Sequence, residues 1–311
     1  MLAIVCPGQG SQTPGFLEPW LELPGISDTL KGWSNATNVD LVTHGTTSDE
    51  DTIKDTAVAQ PLIVAAGLLA AKAIGTDKLE PATWMTAGHS VGEITAAGLS
   101  GVLSPVDALE FVRVRAQGMA SASAAEATGM AAVLGGDQDE VIKYLEDLDI
   151  TPANVNGGGQ VVAAGSKEAL AHLAEHPMEK TRVVELKVAG AFHTQYMASA
   201  VAQLESYANT LTPQNPSISL ASNRDGAVVD SGQAFVDRLI QQVTSPVRWD
   251  LCQHTMVDAG VTGILELLPG GTLTGIARRA MKGVKTLAIK TPADLDKAQE
   301  FIAEHTQNIS A

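Results

Sequence analysis

The chain is poor in cysteine, in aromatic residues and in positive charge, and each shortage excludes something. Cys6 and Cys252 are the two cysteines in 311 residues, and neither sits in a C-x-x-C pair. Zinc and dithiol motifs of that kind are therefore absent, and both residues are expected as buried free thiols in a reducing compartment. Aromatics make up 4% of the chain, so the core must be built from Ala, Val, Leu and Ile. Lys and Arg number 20 against 35 Asp and Glu, a net charge of -15. That balance excludes a general nucleic-acid binder, which needs a basic face. The richest apolar stretch, Ala57 to Ile74, is broken by Gln60, Pro61 and Lys72, so no membrane span is expected. Met1 to Cys6 is apolar but stops at Pro7-Gly8 without a basic leader, so no signal peptide is expected either. The expectation is a cytoplasmic protein.

What remains is 45% hydrophobic and 18% charged, the balance of a globular protein with a real core. The length suits a large domain carrying a smaller one. Apolar runs at Leu2–Cys6, Trp84–Met85, Ile218–Ser222, Val261–Leu267 and Thr286–Ile289 read as strands. Helical patterns lie between them at Val58–Ile74, Pro105–Ala120, Met197–Leu211, Phe235–Val243, Asp250–Ala259, Thr272–Met281 and Pro292–His305. Alternating strands and helices predict an α/β fold with a mostly parallel sheet covered on both faces. Between residues 127 and 190 the rhythm changes to β-α-β-β-α-β, the ferredoxin-like plan. The expected organisation is a discontinuous large domain, 1–126 and 191–311, with that unit inserted.

Within the large domain, Gly88-His-Ser90-Val-Gly92 is a G-x-S-x-G pattern with an apolar run before it and a helix-compatible run, Val91 to Leu99, after it. A strand–turn–helix context lifts a serine hydroxyl out of the backbone and puts the next N–H at a helix N-terminus. Ser90 is the candidate nucleophile. A serine hydroxyl needs a base to take its proton. His89 is adjacent, but its side chain points away through the turn. His44, His172, His176, His254 and His305 read as surface residues. His193 ends a small-residue loop where the insert hands back to the large domain, and domain boundaries form clefts. It is either the base or a structural histidine. A hydrolase triad also wants an acid between Ser90 and His193 in chain order; Asp137, Asp147 and Asp149 are surface-like. Either a backbone carbonyl orients the histidine or the triad reading fails. Arg113 and Arg115 face different sides of one helix, and either reads first as a solvated arginine. The glycine-rich loop after Cys6 lacks both the P-loop and the dinucleotide patterns.

Taken together, the chain resembles the malonyl-CoA:acyl carrier protein transacylase family, which includes the acyltransferase domains of fatty-acid and polyketide synthases. The matching pieces are Pro7-Gly-Gln-Gly-Ser-Gln12, Gln60-Pro61, Gly88-His-Ser-Val-Gly-Glu93, Arg115-Ala-Gln-Gly-Met119, Asn154-Val-Asn156, Gly190-Ala-Phe-His193, Ser222-Asn223, Ser245-Pro-Val-Arg-Trp249 and Pro269-Gly270. They run in family order over nearly the whole chain, and the discrete bacterial enzymes of type II fatty-acid synthesis, actinobacterial ones in particular, look most similar.

The resemblance implies Ser90 as the acylated nucleophile and His193 as base and later acid. It implies a main-chain carbonyl at Gln242 as the orienter of the imidazole. Gln9 and Val91 would supply oxyanion N–H groups, and Arg115 would clamp the free carboxylate of malonyl. Phe192, Asn156 and His89 would line the substrate pocket, Phe192 filling the space of an α-methyl. The partners implied are malonyl-CoA and an acyl carrier protein bearing phosphopantetheine, with no resident cofactor, no metal and no oligomer. Arg278, Arg279 and Lys282, in the densest basic cluster of the chain, are candidates for docking an acidic carrier. The competing readings are an esterase or thioesterase, which has no use for Arg115, a transacylase of malonate decarboxylase or polyketide synthesis, which differs in its carrier, and a non-catalytic scaffold.

Overall fold

The computed structural model describes residues 1–306. Its strands are β1 (Leu2–Cys6), β2 (Trp84–Gly88), β3 (Thr128–Gly135), β4 (Thr151–Gly157), β5 (Gln160–Ser166), β6 (Thr181–Leu186), β7 (Ser219–Ala221), β8 (Val247–Arg248), β9 (Gly263–Glu266) and β10 (Lys285–Ala288). They form two five-stranded sheets. The first runs β10-β9-β1-β2-β7, and every pairing in it is parallel. β1 and β2 are buried at every residue, as expected where helices cover both faces. The second runs β6-β3-β5-β4-β8. Its members from the insert are antiparallel, and the insert follows the expected β-α-β-β-α-β order. The fifth member, β8, comes from outside 127–190 and pairs in parallel with β4.

Helix Thr56–Ile74 starts two residues before the apolar pattern does. The Asp55 carboxylate caps the Ala57 N–H at 2.7 Å, so Pro61 falls in the helix's second turn. By length and hydropathy (mean 1.8) this helix is apolar enough to cross a membrane, but 78% of its apolar window is buried inside the fold. Helix Pro105–Ala125, packed on it, opens with Ser104 as cap and Pro105 in its first turn, the position where proline's missing N–H costs nothing. The expected helix from Met197 to Leu211 divides into a 3-10 segment, Gln195–Ala200, and an α-helix, Val201–Ala208. The Thr194 hydroxyl starts the first segment early by capping the Tyr196 N–H.

Candidate active site

The parallel sheet brings three loops side by side. Cys6 pairs with Gly88 and Ala87 with Ala221, so the chain leaves β1 toward Gln9, β2 toward Ser90 and β7 toward Asn223 from one edge. The carboxyl ends of parallel strands are where such sheets bind ligands. The two glycines around Ser90 are required by close approach. A Cβ on Gly88 would lie 1.9 Å from the Gly92 carbonyl carbon, and one on Gly92 would lie 2.2 Å from the Cys6 carbonyl oxygen. Ser90 itself is held at φ +53°, a left-handed backbone that a non-glycine residue adopts only when its surroundings impose it. Asn223 imposes it. Its Oδ1 accepts the Ser90 N–H at 2.8 Å and its Nδ2 donates to the Gly88 carbonyl at 2.7 Å.

From Ser90 the hydroxyl lies 2.7 Å from His193 Nε2, and His193 Nδ1 lies 2.8 Å from the Gln242 carbonyl. A carbonyl only accepts, so the proton is on Nδ1 and Nε2 keeps the lone pair that accepts from the serine. Burial first, and the Arg115 charge second, pull the imidazole down from 6.5 to about 3. The ring is therefore neutral, the form a base requires. A main-chain carbonyl stands where the hydrolase pattern would put an acid. The N–H groups of Gln9 and Val91 have no acceptor among the described residues, which leaves them available to an oxyanion.

Arg113 and Arg115 part as their spacing requires. Arg113 is paired with Glu110 at the surface. Arg115 is 1% exposed, and burial lowers it to about 10. Its Nη1 donates to Gln60 Oε1 at 2.6 Å and its Nη2 to Gln242 Oε1 at 2.8 Å. Both partners are neutral oxygens, and Gln242 also contacts Ser90 and His193, so a buried cation, with the Glu93 carboxyl near it, lies beside the serine–histidine pair. Gln60 Nε2 reaches on to Gln9 Oε1 at 3.4 Å. At the other end, Gln242 Nε2 donates to the Ser90 carbonyl at 3.2 Å and to Glu93 Oε2. Glu93 Oε1 accepts the Asn223 N–H at 2.7 Å. Burial pushes the Glu93 carboxyl up to about 7, against those two donors and Arg115.

Gln60, Glu93 and Asn223 belong to the matched motifs, yet the sequence reading gave none of them a role. The signal for Gln60 was a polar side chain on a helix that is otherwise apolar on most faces. Glu93 offered a comparable signal, a carboxylate in the apolar Val91–Leu99 run. Nothing local marks Asn223, whose role depends on β7 lying beside β2.

The other candidates are placed as follows. His89 turns away from the serine; its Nε2 meets Asn156 Oδ1 at 2.8 Å and its ring stands edge-on to Trp249. Asn156 thus reaches the elbow from β4. Phe192 is buried with the main core. His305, read as a surface residue, is buried instead, its Nδ1 2.8 Å from the Thr262 hydroxyl, because the last helix packs against β9. Arg278, Arg279 and Lys282 are exposed; Arg278 reaches Thr286, and Arg279 the carbonyls of Gly158 and Gly275. Both cysteines are buried and free, and burial pushes the Cys6 thiol up to about 12. No cluster of His, Cys, Asp or Glu able to hold a metal occurs among the described residues. A groove of about 630 Å³ opens beside Gln9, between Gln12, Ile53 and Lys54 on one side and Leu186 to Val188 on the other.

Known proteins are similar to this chain over nearly its full length. Residues 3–302 match the model of the acyl transferase domain. The malonyl CoA-acyl carrier protein transacylase of Mycobacterium tuberculosis is 51% identical over 298 residues, 96% of this chain and 99% of that protein. The crystal structure of MCAT from Mycobacterium tuberculosis superposes with a TM-score of 0.91 at 50% identity, covering 96% of this chain and 99% of that one. A type II polyketide acyl carrier protein in complex with its malonyl-transacylase provides a further match, with a TM-score of 0.90 at 27% identity over 96% of this chain and 99% of that one. With its serine elbow at the edge of a parallel sheet and a family match from residue 3 to residue 302, the chain belongs to the acyl transferase domain family.

Proposed function

We propose that this acyltransferase moves the malonyl group from malonyl-CoA to the phosphopantetheine thiol of an acyl carrier protein, through a malonyl ester on Ser90, and so supplies fatty-acid chain elongation. The observation that carries the reading is Arg115. A fully buried guanidinium held by two neutral carbonyl oxygens is poised for an anion, and a free carboxylate would complete it bidentately. An acetyl group gives it nothing. An esterase has no use for it.

The cycle is ping-pong. Ser90 Oγ attacks the thioester carbonyl while His193 Nε2 takes its proton. The negative charge gathers on the carbonyl oxygen, which the N–H groups of Gln9 and Val91 stabilise. The C–S bond breaks and His193 returns the proton to the CoA thiolate. The carrier's thiol then attacks the serine ester, giving its proton to His193, which passes it to Ser90 Oγ as the C–O bond breaks. Arg115 holds the far carboxylate throughout, so the carbonyl is presented in line. Phe192, beside His193 in the chain, fills the space an α-methyl would need, and Asn156 and His89 border the acyl site. The groove beside Gln9 is the path for the pantetheine arm. Arg278, Arg279 and Lys282 receive the acidic carrier. The chain works as a cytoplasmic monomer without a bound cofactor, a setting that two free buried cysteines suit.

Intact-protein mass spectrometry after mixing with malonyl-CoA tests the core of this. The expected result is a malonyl adduct on the wild-type chain that disappears in Ser90→Ala and transfers to added holo-carrier protein. Rapid release of free malonate without a carrier would replace transfer by hydrolysis.

A further inference from the structure

The Gln242 side chain is read unambiguously from its partners. Arg115 can only donate, so the oxygen of the amide faces it. The Ser90 carbonyl and the Glu93 carboxylate accept, so the NH₂ group faces them. Glu93 is 1% exposed, and its second oxygen is committed to a main-chain donor, the Asn223 N–H, which cannot be reversed. The amide of Gln242 is therefore locked from one end. Reversing it would aim an NH₂ group at the guanidinium, donor against donor. The main-chain carbonyl of the same residue, which faces His193 Nδ1, is untouched by the direction of the side-chain amide.

We infer that Glu93 is a positioning residue for acyl selectivity: through the amide of Gln242 it fixes the Arg115 guanidinium that receives the free carboxylate, while its other oxygen stays on the Asn223 N–H. Five polar residues form the chain of contacts, Glu93, Gln242, Arg115, Gln60 and Gln9, and it runs from the elbow helix across the site to the loop after β1. Each link is directional, because every acceptor meets a donor. Arg115 donates to both neighbours, so Gln60 is set from its own side, by Arg115 and by Gln9, whose Nε2 donates to the Lys54 carbonyl; Glu93, with two acceptor oxygens facing two donors, fixes the Gln242 end. This inference rests on the malonyl-transfer reading.

The test is Glu93→Gln, which keeps shape and removes one acceptor. Its oxygen must stay on the Asn223 N–H, so its NH₂ group faces Gln242 and turns that amide over. Arg115 then loses an anchor. Single-turnover acylation of Ser90 is measured with malonyl-CoA and with acetyl-CoA, alone and in an Arg115→Ala background. The expected result is a fall of about 10- to 100-fold in the malonyl rate, carried by KM, with the acetyl rate within about threefold of wild type. In Arg115→Ala the substitution should have little further effect on malonyl loading, a non-additive cycle. Equal losses with both acyl groups, or full additivity with Arg115→Ala, would overturn the inference. If Glu93→Gln does not fold, Glu93→Asp keeps the charge and draws the carboxylate back from the Gln242 amide. The same malonyl-selective loss is then expected, and an unselective one overturns the idea. A wild-type chain that takes no malonyl group would instead refute the transfer reading itself.

Discussion

In the parallel sheet, β1 and β2 are buried throughout and their loops carry Gln9 and Ser90, while β7 delivers Asn223 beside them. In the second sheet, β6 is an edge with no buried residue, and β4 sends Asn156 to the elbow through His89. The difference is one of constraint. Parallel strands in register deliver several loops to one point with little freedom, so a strained φ at Ser90 can be sustained there. An antiparallel sheet with an exposed edge fixes only its inner face, and it serves here as a wall.

Paired truncations sharpen that contrast most. Asn223→Ala leaves the Ser90 N–H and the Gly88 carbonyl unpaired in a buried place. A loss of about 1–3 kcal/mol in stability is expected, together with about 10²-fold in serine acylation as the nucleophile shifts. Thermal melting and acylation rates measure both. Asn156→Ala, on the wall, should cost less than about tenfold. Comparable losses from the two would erase the distinction between the sheets.

Acidification provides an intermediate effect. His193 falls from 6.5 in the unfolded chain to about 3 in the folded one. Between those values the unfolded state holds the extra proton, so stability drops as pH falls. Melting temperatures against pH should therefore show a steeper acid loss in the wild type than in His193→Ala. Parallel curves would mean that the imidazole is not held neutral by its surroundings. Glu93, raised to about 7, acts in the opposite sense, its folded form taking up a proton first and losing that contribution as pH rises.

The smallest effect concerns the basic cluster on helix Thr272–Ala280 and just beyond it. Reversing Arg278 and Arg279 to glutamate should raise the KM for carrier protein a few-fold and spare malonyl-CoA, as loss of exposed charge at a docking rim does. An unchanged KM would move the docking face elsewhere.

Much of this was legible in the sequence because its signals are local. The strand–turn–helix context of Ser90, the alternation of strands and helices and the β-α-β-β-α-β rhythm all depend on neighbours in the chain. Arg115 was ambiguous for the opposite reason: two arginines two residues apart look alike until helix packing buries one. His305 was misread because its burial depends on contact with β9, some forty residues earlier. The directions of the Gln242 and Gln60 amides were illegible too, since they depend on partners brought in from other helices.

One consequence of the short strand β8 concerns modularity. The β-α-β-β-α-β unit ends with β6 at Leu186, yet the chain returns a strand to its sheet at Val247–Arg248. The insert is thus not a cassette. Excised, it would expose a bare β4 edge open to self-association, and the remaining chain would keep a strand with nothing to pair. The two lobes should therefore unfold as one cooperative unit. A swap of the insert between relatives has to carry residues 247 and 248 with it.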